Sequence, residues 1–227
     1  MPVLAAVILI ILVATTARAQ ETRMVPVTVD GERVRLQMRV YPPTTDTPAP
    51  TLVFNHGSTG TGTNLEAFAR PLDFPEVARF FVARGWAVVI PARRGRGGSE
   101  GHYDEGFWPN RSWGYACDPA LSKGVINFVG GWNGTRCQHA ATINQSLFVR
   151  GARYPDDTMW IYGDGDLFYS LAHSRANFAA FQSAGGQGAF HELPTEAGGH
   201  YIWRRPDRWA PLVESYLKRR GLPSETP

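Results

Sequence analysis

The sequence predicts a single α/β domain in which a mostly parallel, doubly wound sheet is opened by an antiparallel hairpin. Three observations lead to this prediction. The chain has 227 residues, 43% hydrophobic and 19% charged, which provides enough apolar material for one folded core. Residues 25–40 alternate apolar and polar side chains, as a half-buried antiparallel pair does. From residue 51 onward, apolar runs alternate with helical patterns, and this order produces a parallel sheet with helices on both faces.

The elements can be justified in chain order. The hairpin strands cover 25–29 and 34–40, and the Asp30-Gly31 pair supplies the turn between them. The run 86–90 is apolar almost without interruption, which is typical of a strand buried on both faces. The other elements follow from short apolar runs or from apolar residues at helical spacing. They are strands over 51–54, 124–129, 158–162 and 189–193, and helices over 75–83, 170–183 and 209–219.

The N-terminus differs in kind from the rest of the chain. Residues 3–13 are apolar, and a short Ala-Arg-Ala segment follows, the pattern of a secretory signal cleaved before Gln20. We therefore assign residues 1–19 to a signal peptide and residues 20–227 to the domain, and we expect an exported protein, periplasmic or secreted. No Lys or Arg precedes the apolar run, so the alternative is an uncleaved segment that anchors the chain, which is the one membrane contact predicted.

The predicted export determines the expected state of the two cysteines. In an oxidising compartment Cys117 and Cys137 would form one disulfide, the alternative being two buried free thiols.

The net charge is only +3, and the arginines form short clusters rather than a continuous basic stripe, so no nucleic-acid partner is predicted. The six histidines lack any recognised metal-ligand spacing, so no metal site is predicted either.

Chemistry-bearing residues stand where predicted strands end, which is the edge at which open α/β sheets gather functional groups. His56, Gly57 and Ser58 follow the strand over 51–54. Glycine in such a turn lets backbone N–H groups face a substrate oxygen, as an oxyanion hole requires. The alternative is an ordinary glycine-rich turn between a strand and a helix.

A second strand end carries an acid that a histidine follows. Asp164 and Asp166 come directly after the strand over 158–162, and His200 lies one helix and one strand later on a glycine-rich loop. This matches the chain order of acid and base in Ser–Asp–His hydrolases, where the carboxylate fixes the tautomer of the imidazole. The alternative is that both aspartates are turn residues and His200 is an ordinary loop histidine.

A family resemblance rests on segments that span nearly the whole mature chain in order: His56-Gly57-Ser58, 85–99, 124–131, 162–166 and Gly199-His200. Together they resemble the exported branch of the dienelactone hydrolase family. The resemblance implies an α/β-hydrolase fold, no cofactor, and hydrolysis of a small-molecule carboxylic ester or lactone. By position it makes Asp166 the triad acid, His200 the base, and the Gly57-Ser58 turn an oxyanion donor.

The resemblance breaks at one place. The family presents its serine on a G-x-S-x-G turn, a strained strand-to-helix corner. We find no serine or cysteine in that context, so the nucleophile elbow is predicted to be missing. Residues 117–122 run almost directly into the strand over 124–129, where the family pattern has a further helix–strand–helix block of roughly 50 residues. Without its central strand, the sheet either closes by direct pairing of the flanking strands or keeps two apolar edges.

Two functions follow from this pattern. The first is a working ester hydrolase with an unconventional nucleophile, Ser58 or Ser122. The second is a catalytically inactive descendant: a pseudoenzyme, a binding module or an internal-deletion product, in which Asp166 and His200 are polar groups of a pocket. Triad chemistry needs nucleophile and base within hydrogen-bond reach, and no local turn enforces that here. The sequence therefore favours impaired turnover.

Overall fold

The computed structural model describes residues 19–29, 31–57, 69, 72–103, 122–131, 138–168, 170–195 and 198–226. Residues 1–18, Ser58, Cys117 and Cys137 lie outside this part of the chain, so the signal, the disulfide and the role of Ser58 stay predictions. Within the described ranges, no helix is long and apolar enough to cross a membrane.

Strands and helices alternate along the described chain after an initial hairpin. The elements are β1 (Glu21–Val29), β2 (Glu32–Tyr41), β3 (Thr51–Val53), α1 (Pro75–Val82), β4 (Ala87–Pro91), β5 (Val125–Phe128), α2 (Ala140–Gly151), β6 (Thr158–Gly163), α3 (Leu171–Ser183), β7 (Gly188–Leu193), a 3₁₀ helix (Gly199–Arg204) and α4 (Pro206–Arg219).

The first sheet has the strand order β1-β2-β4-β3. β1 and β2 pair antiparallel, with Glu21 opposite Val40 at one end and Val29 opposite Glu32 at the other. β4 then pairs antiparallel with β2 and parallel with β3. The predicted opening hairpin is therefore confirmed, and it leads into the parallel part of the fold.

The second sheet has the order β5-β6-β7, and all of its strands are parallel. β6 is buried at every position, as the central strand of a parallel sheet covered by helices must be. The chain crosses from β5 to β6 through α2 and from β6 to β7 through α3. The carboxyl ends of β6 and β7 consequently lie side by side, with Gly163 opposite Leu193.

The two sheets are not joined by strand pairing in the described part of the chain. β3 and β5 are end strands of their respective sheets, and Val53 at the end of β3 is 56% exposed. Residues 92–103 and 122–124, between β4 and β5, hold no helix or strand. The mostly parallel α/β fold opened by an antiparallel hairpin is confirmed. How the sheet responds to the missing strand stays a prediction, because residues 58–68 and 104–121 lie outside the described part of the chain.

Aromatic side chains hold the layers together. Trp160 of β6 packs against α2, with its ring 4.8 Å from that of Phe148. Trp209 of α4 is fully buried, and its ring lies 4.8 Å from Phe80 of α1 and 5.2 Å from Phe128 of β5. Since α1 belongs with the first sheet and β5 with the second, Trp209 bridges the two parts through side-chain packing rather than through a hydrogen-bonded ladder.

The sequence did not predict α2 or the 3₁₀ helix. The buried residues of α2 are Ala140 and Asn144, and Asn144 Nδ2 lies 2.8 Å from Nε2 of His173 on α3. Two of its large apolar residues, Ile143 and Val149, are each 42% exposed, so its apolar side chains do not form one buried stripe for a 3.6-residue period to reveal. The 3₁₀ helix is only six residues long and is equally invisible to periodicity.

A tyrosine of α4 fastens the amino ends of β5 and β6. The Tyr216 hydroxyl donates to the carbonyl of Asp157 at 2.9 Å and accepts from the N–H of Val125 at 3.0 Å. Tyr216 is only 1% exposed, and burial raises its pKa to about 12, so the phenol stays protonated at neutral pH. One hydroxyl thus satisfies two backbone groups at the end strand of the second sheet.

We expect Tyr216→Phe to lower the free energy of unfolding by about 1–3 kcal/mol, because it leaves two buried backbone groups without their partner. Urea denaturation followed by far-UV circular dichroism measures this difference. Tyr154→Phe is the matched control, since the Tyr154 hydroxyl makes only a long bond of 3.4 Å to the Ser122 carbonyl. Equal effects of the two substitutions would contradict the role given to Tyr216.

Candidate acid–base site at the end of strand β6

The loop after β6 presents a buried carboxylate. Asp166 follows Gly165, whose φ of 61° lies in the left-handed region that favours glycine. The Asp166 side chain is only 3% exposed, and its Oδ1 accepts the backbone N–H of Phe168 at 2.7 Å. The carboxylate is therefore fixed by its own loop, which leaves Oδ2 to face outward toward another element.

That other element is the 3₁₀ helix, which carries His200. The Nδ1 atom of His200 lies 3.1 Å from Oδ2 of Asp166, and the His200 side chain is 29% exposed. An ionised carboxylate only accepts hydrogen bonds, so Nδ1 carries the proton and Nε2 is left with its lone pair. The acid and base of a catalytic triad have this arrangement, in which a buried carboxylate orients a partly exposed imidazole.

Two glycines make the approach of these elements geometrically feasible. A Cβ on Gly199 would lie 2.1 Å from the carbonyl oxygen of Asp164, and a Cβ on Gly163 would lie 2.6 Å from the Cα of Gly199. Both distances are shorter than real Cβ contacts allow. Only glycine therefore lets the backbone before His200 touch the end of β6, and this contact sets the distance between His200 and Asp166.

The neighbouring Asp164 has a structural role instead. Its Oδ1 accepts the backbone N–H of Thr195 at 2.6 Å and the Thr195 hydroxyl at 2.7 Å. Together these two bonds hold the pKa of Asp164 below its usual value, and the bond from the Thr195 hydroxyl contributes more than the bond from the backbone N–H. Asp164 therefore tethers the loop after β7 to the loop after β6, and Asp166 is the acid that meets the histidine.

The proposed oxyanion segment lies at the end of β3, in the first sheet. His56 is buried, and its Nδ1–H donates to the carbonyl of Gly57 at 2.8 Å. Arg93, after β4, donates from Nη2 to the His56 carbonyl at 2.9 Å. Burial lowers the pKa of His56, so its imidazole is neutral at physiological pH. His56 and Gly57 thus form a fixed turn at the strand end, and the role of that turn stays a prediction.

One serine does have the spacing of a nucleophile elbow. Gly97, Gly98, Ser99, Glu100 and Gly101 spell G-x-S-x-G. Our expectation that the sequence contains no G-x-S-x-G motif is therefore wrong.

The structure shows what this serine does. Ser99 is 8% exposed, its hydroxyl donates to the Ala92 carbonyl at 2.9 Å, and it accepts the backbone N–H of Gln37 at 2.9 Å. It lies in a loop beside β2, and no described helix follows it. Because its only proton is committed to a carbonyl, the hydroxyl pins a loop to the hairpin rather than facing a base.

Sequence reasoning missed two aromatic neighbours of the histidine. The Phe168 ring lies 4.3 Å from the His200 ring, and the Tyr201 ring lies 5.6 Å from it. Their adjacency to Asp166 and His200 in the sequence was the available signal. As for metals, the described residues contain no cluster of three or more side chains that could hold an ion.

The fold and this pair of side chains define the class of protein: the chain has an α/β-hydrolase fold. The family model described as "X-Pro dipeptidyl-peptidase (S15 family)" matches residues 30–117. That range is less than half of the chain; it contains the Ser99 loop but ends before Asp166 and His200. The chain is therefore similar to the S15 family in its first sheet. No curated protein matches the chain.

Solved structures of similar shape are hydrolases. A predicted CIB-like hydrolase from Thermoplasma acidophilum aligns with a TM-score of 0.54 and 15% identity, covering 90% of this chain and 100% of its own. An S-formylglutathione hydrolase from Agrobacterium tumefaciens aligns with a TM-score of 0.52 and 15% identity, covering 91% and 99%. A cold-adapted esterase from an Arctic intertidal metagenomic library gives a TM-score of 0.53, 15% identity, and coverage of 88% and 94%. At these identities the likeness establishes the fold.

We expect Gly199→Ala to separate His200 from Asp166 and to cost about 1–3 kcal/mol of stability, as overpacking does. The low-field proton resonance of the Nδ1–H bonded to the carboxylate reports on the pair and should disappear. Gly151→Ala is the control, because a Cβ on Gly151 meets nothing within 4 Å. A retained resonance in Gly199→Ala would show that the glycine contact does not set the pair.

Proposed function

We propose that this chain is a carboxylic ester or lactone hydrolase by ancestry, resembling the dienelactone hydrolases, that has kept its acid and base but not its elbow serine. The 3.1 Å contact between His200 Nδ1 and Asp166 Oδ2 carries this proposal. Both residues stand at the carboxyl edge of a parallel sheet, in the chain order that α/β-hydrolases use. The substrate class that the resemblance implies is a small-molecule ester or lactone, and no cofactor takes part.

The chemistry available to such a pair is general base catalysis. Nε2 of His200 takes a proton from a water molecule as the water oxygen attacks the ester carbonyl carbon. The same proton then passes to the leaving alkoxide as the carbon–oxygen bond breaks. Asp166 stabilises the imidazolium in between. Without a serine nucleophile, turnover falls by roughly 10⁴ to 10⁶ relative to a complete triad. The proposed activity is therefore slow and independent of any serine.

A second candidate function is a non-catalytic one: a binding module or an internal-deletion product. Two observations favour it: among the described residues β3 and β5 are end strands of their sheets, and structural bonds occupy Ser99. In this case Asp166 and His200 would bind a polar group of a ligand without turnover. Either candidate would act outside the cytoplasm, in keeping with the predicted signal and disulfide.

We expect the folded chain to resist a fluorophosphonate probe while hydrolysing dihydrocoumarin slowly, and His200→Ala to lower that rate by about 10²-fold or more, to the buffer level. Mass spectrometry of the intact protein and a spectrophotometric assay measure the two quantities. His102→Ala controls for non-specific catalysis by an exposed imidazole. Ser99→Ala should destabilise the fold by about 1–3 kcal/mol but leave the rate per folded molecule unchanged.

The outcomes separate the candidates. A stoichiometric serine adduct that depends on His200 would reject the proposal, since it would identify a conventional nucleophile. A folded chain with neither adduct nor His200-dependent hydrolysis would establish the non-catalytic candidate instead.

A further inference from the structure

Exposed apolar surface is concentrated around the acid–base pair. Among the described residues, Leu167 is 87% exposed, Phe168 is 55% exposed and Tyr201 is 44% exposed. All three lie within two positions of Asp166 or His200 in the chain. Large apolar side chains of this kind are costly to leave in water, and when they cluster they mark a binding surface more often than scattered ones do.

Two aromatic rings contact the imidazole of His200. The Phe168 ring is tilted by 44° to the His200 ring at a centroid distance of 4.3 Å. The Tyr201 ring stands at 88° to the His200 ring at 5.6 Å. Both rings therefore border the partly exposed His200 side chain, and a ligand held at that imidazole has aromatic surface beside it.

Both rings are held in position by the backbone of the site. The N–H of Phe168 donates to Oδ1 of Asp166, the same carboxylate that orients His200. Tyr201 directly follows His200 in the 3₁₀ helix, and the Arg204 guanidinium lies 5.0 Å from the centre of its ring. The backbone that carries both rings is therefore fixed before a ligand binds, which reduces the entropy cost of contact with it.

We propose that Phe168 and Tyr201 form an aromatic subsite that gives this chain a preference for aryl esters over aliphatic esters of the same size. Flat rings gain from offset and edge-to-face contacts with Phe and Tyr beyond the gain from area alone. A saturated ring of equal carbon number buries the same area without that gain. Leu167 adds apolar surface next to Phe168 but has no aromatic ring of its own. This inference rests on the proposed function in that it takes an ester as the ligand of the site.

The test measures binding rather than turnover. Phenylacetone and cyclohexylacetone are ketones with equal numbers of heavy atoms, and neither can be hydrolysed. We expect phenylacetone to bind the full chain roughly twofold to tenfold more tightly, and to shift the His200 ring resonances in NMR titrations. Phe168→Leu, which keeps apolar bulk, should remove most of this preference. Phe168→Tyr should restore it.

Met24→Leu is the matched control, because Met24 is an exposed apolar residue on β1, far along the chain from the site. It should leave both dissociation constants unchanged. Equal affinities of the wild-type chain for the two ketones would overturn the proposal, and so would a preference that survives Phe168→Leu combined with Tyr201→Leu.

Failure of the aromatic subsite and failure of the proposed catalytic function would give different results. Selective binding of phenylacetone at His200 without any hydrolysis would retain the aromatic subsite and reject the catalytic role. Hydrolysis that depends on His200, with no preference between aryl and aliphatic ligands, would do the reverse.

Discussion

The packing around Trp209 is the constraint on which the fold depends. No described strand pairing connects the two sheets, so their relative placement relies on side chains that touch both. Trp209 does so with a ring that contacts α1 through Phe80 and β5 through Phe128. A ladder of hydrogen bonds is directional, whereas apolar packing of this kind tolerates adjustment. That tolerance lets α4 hold the two described sheets together without a hydrogen-bonded ladder between them.

The contact between Asp166 and His200 does not depend on how the two sheets are held together. Asp166 follows β6, and His200 follows β7, and these neighbours in the second sheet are joined along their whole length. The close approach of Gly163 to Gly199 lies entirely within the same unit. The contact between Asp166 and His200 is therefore set by elements of the second sheet and not by the connection between β4 and β5. The predicted oxyanion turn at His56 and Gly57 and the predicted acid–base pair follow strands of different sheets.

The sequence was sufficient for features that depend on local pattern and chain order. It predicted the hairpin, the strand β6, and the placement of Asp166 and His200 at neighbouring strand ends, because strand order brings such loops together. It did not predict α2, whose buried face is polar at Asn144. It also gave no means of deciding how the sheet responds to a lost strand. The role of Ser99 could be assigned only from its hydrogen bonds, since a G-x-S-x-G sequence does not by itself distinguish a reactive turn from a structural one.

The burial of Asp166 bears on which candidate function is favoured. A carboxylate with 3% exposure loses most of its hydration, and such a charge is tolerated only when hydrogen bonds replace the water. Here the Phe168 backbone donates one hydrogen bond, and an imidazole that is itself partly exposed donates another. Buried charge held against an accessible base is an arrangement that functional sites maintain at the expense of stability. The burial of Asp166 therefore favours the proposed proton-transfer role over the non-catalytic alternative.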